Sequence, residues 1–407
     1  MHRRSFDPAA LLFLTFTLYL AVPSCAQTYR VLHNFDYGEN YQIGSPSGAL
    51  AIDPLGNLFG ATGAGGVGCD PFGCGVIFES TPRGGGLIYE FTGGNGGEYP
   101  QQVLFDSSGN LYGNVNDSGT GLGGIYELQY QSGQRNFNMF YTQGGTCLVF
   151  DKNGNLYGWI GSGEYKAGAI GELSPGLDGW TYTQLYSFCG SVGCPDGEEP
   201  QSPLSWDSKG NLYGTTLYGG VSVLPCPGSL GCGVAFQMTP NGDGTWTYHV
   251  MDRFASYKGD GLYPYAGLTL DAFGNAYGAT ASGGTYGNGT IFKLSPSAGG
   301  WKKTVVYDFP NCAEGCVPSY TLVFDKAGNL YGSGGGGNPE CGSYTCGTIF
   351  RLIPLAGGKW KYQAVYKFSG TDGAFPYGVV LDNRGHMFGT TSGGGTYNSG
   401  VLFEISQ

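Results

Sequence analysis

The chain has 407 residues, 78 of them Gly, with 12% charged, 15% aromatic and a net charge of −11. The acidic balance excludes nucleic acid and anionic membranes as partners, because both are gripped by Lys/Arg stripes that release counterions. The aromatic content excludes a disordered chain, and the abundance of Gly and turn residues points to a folded, β-rich protein.

The first element is a leader. His2, Arg3 and Arg4 precede an apolar run from Leu11 to Val22 that is short for a membrane span, and Ser24-Cys25-Ala26 fits a small-x-small cleavage site. Residues 1–26 are therefore expected to be a signal peptide and 27–407 a single exported domain. Val22-Pro23-Ser24-Cys25 is the competing reading, a loose lipobox with lipid on Cys25. No later stretch reads as a transmembrane helix, no C-terminal anchor is expected after Gln407, and the domain is expected to be a monomer.

Next comes an unpartnered strand, Tyr29-Arg-Val-Leu-His-Asn-Phe35, and then seven units. Each unit carries a version of Gly-Asn-Leu-Tyr-Gly, opening at Gly56, Gly109, Gly154, Gly210, Gly274, Gly328 and Gly385. Spacings of 45 to 64 residues are those of a propeller array, longer than a β-helix rung. Four short strands recur per unit, here called A to D. In the fifth unit they are 267–271, 275–280, 289–294 and 301–309. The expected fold is all-β: a seven-bladed β-propeller of four-stranded antiparallel blades. The seventh unit has A, B and C but no D, so the N-terminal strand is expected to complete the C-terminal blade and close the ring.

An Asp stands three residues before every opening Gly, at Asp53, Asp106, Asp151, Asp207, Asp271, Asp325 and Asp382. A residue present in all seven units cannot mark one active site. Asp-x-x-Gly reads as the A–B turn, the carboxylate capping backbone N–H groups and the Gly taking positive φ. The second Gly of each pentapeptide is expected to admit a close backbone or ring.

Ten cysteines form local pairs: Cys69/Cys74, Cys189/Cys194, Cys226/Cys232, Cys312/Cys316 and Cys341/Cys346. In an exported chain they read as disulfides; zinc would find only two thiols per site and few His. Cys147 is left over as a buried free thiol. Three pairs fall in B–C loops and two in D–A loops, which emerge on one face, so the stapled face is the expected functional surface.

Leu185-Tyr-Ser-Phe188, Gly210-Asn-Leu-Tyr-Gly-Thr-Thr216 and Gly289-Thr-Ile-Phe-Lys-Leu294 resemble the bacterial GloVer tandem-repeat family across essentially the whole mature chain. The resemblance implies an exported, surface-associated repeat protein and carries over no catalytic residue. Many relatives end in a sorting anchor, and none is expected here.

Candidate ligand-binding residues sit on the stapled face. Glu98, Glu198, Glu199, Asp260 and Asp372 could converge as acid and base or as Ca²⁺ ligands, although Asp-Gly-x-x-Pro is also good turn chemistry. Tyr99, Tyr263 and Phe375 flank the same loops, and Trp159 stands where other units have small residues; flat rings there suit sugar C–H faces. Trp180, Trp246, Trp301 and Trp360 begin strand D and read as structural. No nucleophile–His pair, P-loop, HExxH or EF-hand spacing appears. The expectation is a binding or interaction module for glycan or a surface protein, with no cofactor. A carboxylate-based propeller hydrolase or lyase, Ca²⁺-assisted or not, and a purely structural envelope protein are the alternatives.

Overall fold

The computed structural model describes residues 27–406, apart from 37–42, 70, 120, 132–133, 221–225, 227–230, 256, 339–340 and 342–345. The leader and Cys25 lie outside the described residues. Seven antiparallel sheets, each with an A-B-C-D strand order, form the blades. In blade 5 the strands are Thr269–Leu270, Ala276–Thr280, Thr290–Ser297 and Gly300–Asp308. Blade 2 has a further short strand, Glu98–Pro100, which precedes its strand A and pairs with the same strand B. No helix among the described residues is long and apolar enough to cross a membrane.

The pentapeptide works as a turn with two side-chain locks. Asp271 Oδ1 accepts the N–H groups of Phe273 and Asn275, both at 2.9 Å, while Oδ2 accepts Asn275 Nδ2 at 2.7 Å. Gly274 has φ 78°, a conformation that a side chain would disfavour. The same bonds recur at Asp53, Asp106, Asp151, Asp207 and Asp325. The Asn of the pentapeptide is thus a partner of the turn carboxylate. In the seventh unit His386 takes its place. Past the turn, the second Gly lies under a ring of strand C in every blade but the third, where Gly158 meets Leu148 instead: a Cβ on Gly278 would stand 2.5 Å from Phe292 Cζ.

Strand A supplies a fully apolar column near the axis: Leu50, Val103, Leu148, Leu204, Leu268, Leu322 and Val379 are all buried. Neighbouring blades are joined by side chains that reach from one blade to the next near the axis. Gln102 in blade 2 donates to the Leu148 carbonyl of blade 3 at 2.9 Å and accepts the Leu148 N–H at 2.8 Å.

Farther out, the seams between blades are filled by rings. A tyrosine near the end of one strand D stacks on a ring near the start of the next: Tyr186 on Tyr248 (4.1 Å), Tyr307 on Tyr362 (4.5 Å), Tyr366 on Tyr29 (3.9 Å) and Tyr89 on Phe137 (4.8 Å). Tyr141 meets Tyr182 at a tilt. Between blades 4 and 5 an ion pair replaces the rings, with Lys303 Nζ 2.5 Å from Asp252 and 2.6 Å from the buried Asp260. The four strand-D tryptophans each lie edge-on to the pentapeptide tyrosine of the preceding blade: Trp180 to Tyr112, Trp246 to Tyr157, Trp301 to Tyr213 and Trp360 to Tyr277.

Closure follows the predicted phase. The strand Thr28–Asn34 pairs antiparallel with Val401–Ser406, from Thr28 opposite Ser406 to Asn34 opposite Val401. Phe35 is buried at the end of this strand, and Tyr29 contributes the ring that joins blade 7 to blade 6. The free edge that a three-stranded last blade would present is thereby covered.

Candidate functional site

All five predicted disulfides form, and Cys147 is the free cysteine. Their purpose becomes visible on the D–A loops. Cys194, before Pro195, has φ 45°, and where the loops enter the next blade five more residues that directly precede a proline hold positive φ: Tyr99 (55°), Glu199 (51°), Tyr263 (59°), Val317 (49°) and Phe375 (57°). Such a conformation is costly for a side chain of this size and is further disfavoured before proline. Each residue donates its N–H to a carbonyl of the preceding blade's B–C loop, at Cys74, Ala167, Cys232, Asn288 and Cys346, over 2.8–3.1 Å. Every one of the five strained turns has its own staple. Cys69–Cys74, Cys226–Cys232 and Cys341–Cys346 hold the accepting loops of Tyr99, Tyr263 and Phe375. Cys189–Cys194 and Cys312–Cys316 stiffen the donating loops of Glu199 and Val317.

The two blades without a staple at this junction avoid the strain at this position, although blade 3 places Cys147 at φ 57° farther along strand A. In blade 3 no proline is present and Gly144, with φ 82°, donates to the Gly123 carbonyl at 2.7 Å. In blade 1 the pre-proline residue, Ser45, is absent from the positive-φ set. The disulfides therefore shape one face, displaying a set of side chains around the entrance to the axis. Tyr99 is 41% and Phe375 51% exposed there. Val317, the fifth member, carries no polar or aromatic group and gave no sequence signal; its place follows only from the shared backbone.

The acidic candidates divide. Asp260 is 2% exposed, ion-paired with Lys303, and accepts the Gly261 N–H at 2.9 Å and the Ala255 N–H at 3.1 Å. Asp372 accepts the Tyr366 hydroxyl at 2.5 Å and the Ser369 N–H at 2.7 Å. Asp196 does the same with the Tyr186 hydroxyl at 2.7 Å and the Cys189 N–H at 3.1 Å. These carboxylates brace the D–A turn from within the blade and turn no oxygen to a common centre. Glu98 pairs across the sheet with Asp117, and its Oε1 accepts the Gly94 N–H at 3.4 Å. Glu198 bridges Tyr218, and its carboxyl is raised above the usual glutamate range by burial and then by the neighbouring charge of Glu199. Among the described residues no three His, Cys, Asp or Glu side chains group so as to hold a metal ion.

Two candidates do come together. Trp159 and Glu199 line a depression of about 450 Å³ between blades 3 and 4, with Gln143, Thr146, Lys166 and Gln201. Trp159 sits opposite Ile170 on strand B of blade 3, in the place that Thr215 and Thr390 hold in blades 4 and 7. Those threonines donate to carbonyls of the next blade, at Pro264 (2.8 Å) and Gly48 (2.9 Å). The indole makes no such bond in the structure and instead roofs the gap toward Pro200: a Cβ on Gly168 would lie 2.6 Å from Trp159 Nε1 and 2.7 Å from Pro200 Cδ. Gln201 Nε2 donates to Glu199 Oε2 at 3.2 Å, which orients the carboxylate along the rim. Cys147 is near by, half-buried, its thiol donating to the Gln201 carbonyl at 3.1 Å; burial pushes its pKa up to about 12, which favours the thiol over the thiolate. Lys166, Gln143 and Gln201 were not singled out in the sequence, since lone polar residues in Gly-rich loops carry no pattern.

With this geometry in view, the chain can be compared with known proteins. No curated protein matches it. Among solved structures it resembles an ancestral GH74 enzyme (TM-score 0.56, 11% identity, 89% of this chain and 48% of that one). It also resembles the extracellular domain of a protein described as a one-component system from B. thetaiotaomicron (0.55, 12%, 92% and 40%) and the polysaccharide lyase Uly1 (0.53, 11%, 93% and 94%). The chain thus spans less than half the length of the first two. At such identities the likeness is one of fold. The repeat described as Gloeobacter/Verrucomicrobia repeat matches residues 17–224 and 223–407, and the protein belongs to that family.

Proposed function

We propose that the protein is an exported carbohydrate-binding propeller that holds its ligand on the stapled face, at the depression between blades 3 and 4. The observation that carries this reading is the meeting of Trp159 with Glu199, Gln143, Gln201 and Lys166 in one open concavity. An indole offers a flat apolar surface to sugar C–H groups, and amide, carboxylate and ammonium groups around it match hydroxyls in both donor and acceptor roles. The neighbouring strained positions, among them Tyr99, Tyr263 and Phe375, would extend the same face to a longer chain of sugars. Five disulfides suit an oxidising compartment, and residues 1–26 supply the export signal in this reading.

Binding without turnover is favoured over hydrolysis because the depression is lined by one carboxylate, Glu199, whereas acid–base cleavage of a glycosidic bond uses two facing carboxyl groups. A glycan array followed by calorimetry on the mature protein tests the proposal. At least one glycan should bind saturably, and Trp159→Ala should weaken it tenfold or more with little change in melting temperature. Silence across the array, or equal binding by the variant, would overturn it, as would release of new reducing ends.

A further inference from the structure

The seam between blades 7 and 1 departs from the other six. Blade 1 ends its C–D hairpin early. Phe78 lies opposite Leu87 there as Phe292 lies opposite Val305 in blade 5, but blade 1 closes at Thr81 and Gly84, before the rung that carries Trp301 opposite Pro296. On the rung that holds Tyr362, Tyr248, Tyr182, Phe137, Tyr29 or Lys303 in the other blades, blade 1 has Gly85, and opposite it Ser80 replaces a buried aliphatic residue. This seam therefore lacks the ring or lysine of that rung, the aliphatic side chain opposite it, and the tryptophan that four of the other six seams carry. A slot of about 730 Å³ opens between the sheets, a volume typical of small-molecule sites.

The slot is dressed for a ligand. Its walls include Phe388 and Leu402 of blade 7 and Phe78 of blade 1, and its rim holds Arg30, His386 and Glu404. Glu404 accepts from Arg30 Nη2 at 2.7 Å and lies 2.9 Å from His386 Nδ1. His386 is itself the departure from the repeat: where the other units place an Asn against the turn carboxylate, His386 Nδ1 stands 3.9 Å from Asp382 Oδ2 and turns to Glu404. The two places where the repeat pattern breaks, Gly85 and His386, meet at one cavity although 301 positions separate them.

We propose that this seam binds a flat aromatic small molecule bearing a hydroxyl group, which takes the place that Tyr and Trp rings fill in the other seams. A flat ring entering edgewise between the two sheets would lie against their side chains, as Tyr29 lies against Tyr366 in the neighbouring seam. The hydroxyl meets the carboxylate of Glu404, held in position by Arg30 and His386. The site is separate from the stapled face and opens beside the short A–B and C–D turns, at Pro54–Gly56 and 80–86.

The test is a fluorescence titration of the mature protein with 2-naphthol. One-to-one saturable binding is expected. Ser80→Trp fills the slot from the blade 1 side and should weaken binding at least tenfold. His386→Asn restores the residue used by the other units and should weaken it about threefold with the melting temperature unchanged, while Trp159→Ala should leave it unaltered. Ser80→Phe, with less volume, serves if the Trp variant does not fold. Absence of saturable binding to the unmodified protein, or wild-type affinity in both the Ser80 and His386 variants, overturns the proposal.

Discussion

The seam between blades 5 and 6 and the seam between blades 7 and 1 are built on the same backbone and filled oppositely. In the first, Tyr307 stacks on Tyr362 at 4.5 Å, Trp360 lies against Tyr277, and the Tyr362 hydroxyl donates to the Glu314 carbonyl at 2.5 Å. In the second, His33 and Phe388 face a strand that begins Gly84-Gly85-Gly86. The contrast teaches that one and the same strand ladder can frame a filled seam or an open one, and that side chains decide which seams are cemented and which stay open.

The comparison can be broken most forcefully at closure. Deleting residues 27–36 removes the fourth strand of blade 7, the Tyr29 stack and the buried Phe35; a loss of more than about 5 kcal/mol in denaturant unfolding is expected, since each large side chain buried contributes about 1.5–3 kcal/mol. An unchanged midpoint would mean that the strand is decoration.

Lys303→Met comes next. It strands Asp252 and the buried Asp260 in the seam between blades 4 and 5 and should cost about 3–5 kcal/mol at pH 7. Burial works to lower the lysine pKa, but Asp252 and Asp260 outweigh it and hold the value above normal. The stabilisation is therefore complete below the unfolded lysine value and is lost as pH rises through the folded one. Burial raises the Asp252 pKa, so in the variant the deficit should be smallest at acid pH, where Asp252 is protonated, and should grow as pH rises. A deficit independent of pH would refute the ion-pair account.

A third variant, Tyr362→Ala, should cost about 3 kcal/mol, whereas His33→Ala at the open seam should stay within about 0.5 kcal/mol. Similar values for the two would erase the distinction between filled and open seams. Breaking one staple, Cys69→Ser with Cys74→Ser, should cost about 2 kcal/mol by loop entropy and should visibly raise amide exchange at Tyr99, whose N–H bonds to the Cys74 carbonyl. Smallest is a gain: Ser80→Leu, which returns the aliphatic side chain of the other blades to the open seam, should stabilise by about 1 kcal/mol.

Much of the fold was legible because the repeat writes local geometry into short strings. The Asp-x-x-Gly turn spans five residues, a staple spans at most six positions, and the missing fourth strand of the last unit shows by counting. The candidate site was legible only in part. Trp159 and Glu199 stood out as breaks in their columns, and they do share a depression. Asp260 and Asp372, whose Asp-Gly-x-x-Pro context already favoured a turn role over Glu198 and Glu199, are spent on Lys303 and Tyr366, because a carboxylate beside the end of strand D finds a partner close by. The Asp372–Tyr366 bond spans only six positions, but no spacing in the chain reveals the pairing of Asp260 with Lys303, since that depends on how adjacent sheets face each other.

By itself, then, the amino-acid string determined the number of blades, their turns, the staples and the strand that shuts the ring, all set by contacts within a few positions or by a simple count. Tertiary structure alone decided that five pre-proline residues share one strained conformation with one disulfide each, and that Ser80, Gly85, His386 and Glu404 surround a single slot. Those arrangements come from neighbouring sheets pressed face to face, where residues hundreds of positions apart in the chain become each other's nearest surroundings.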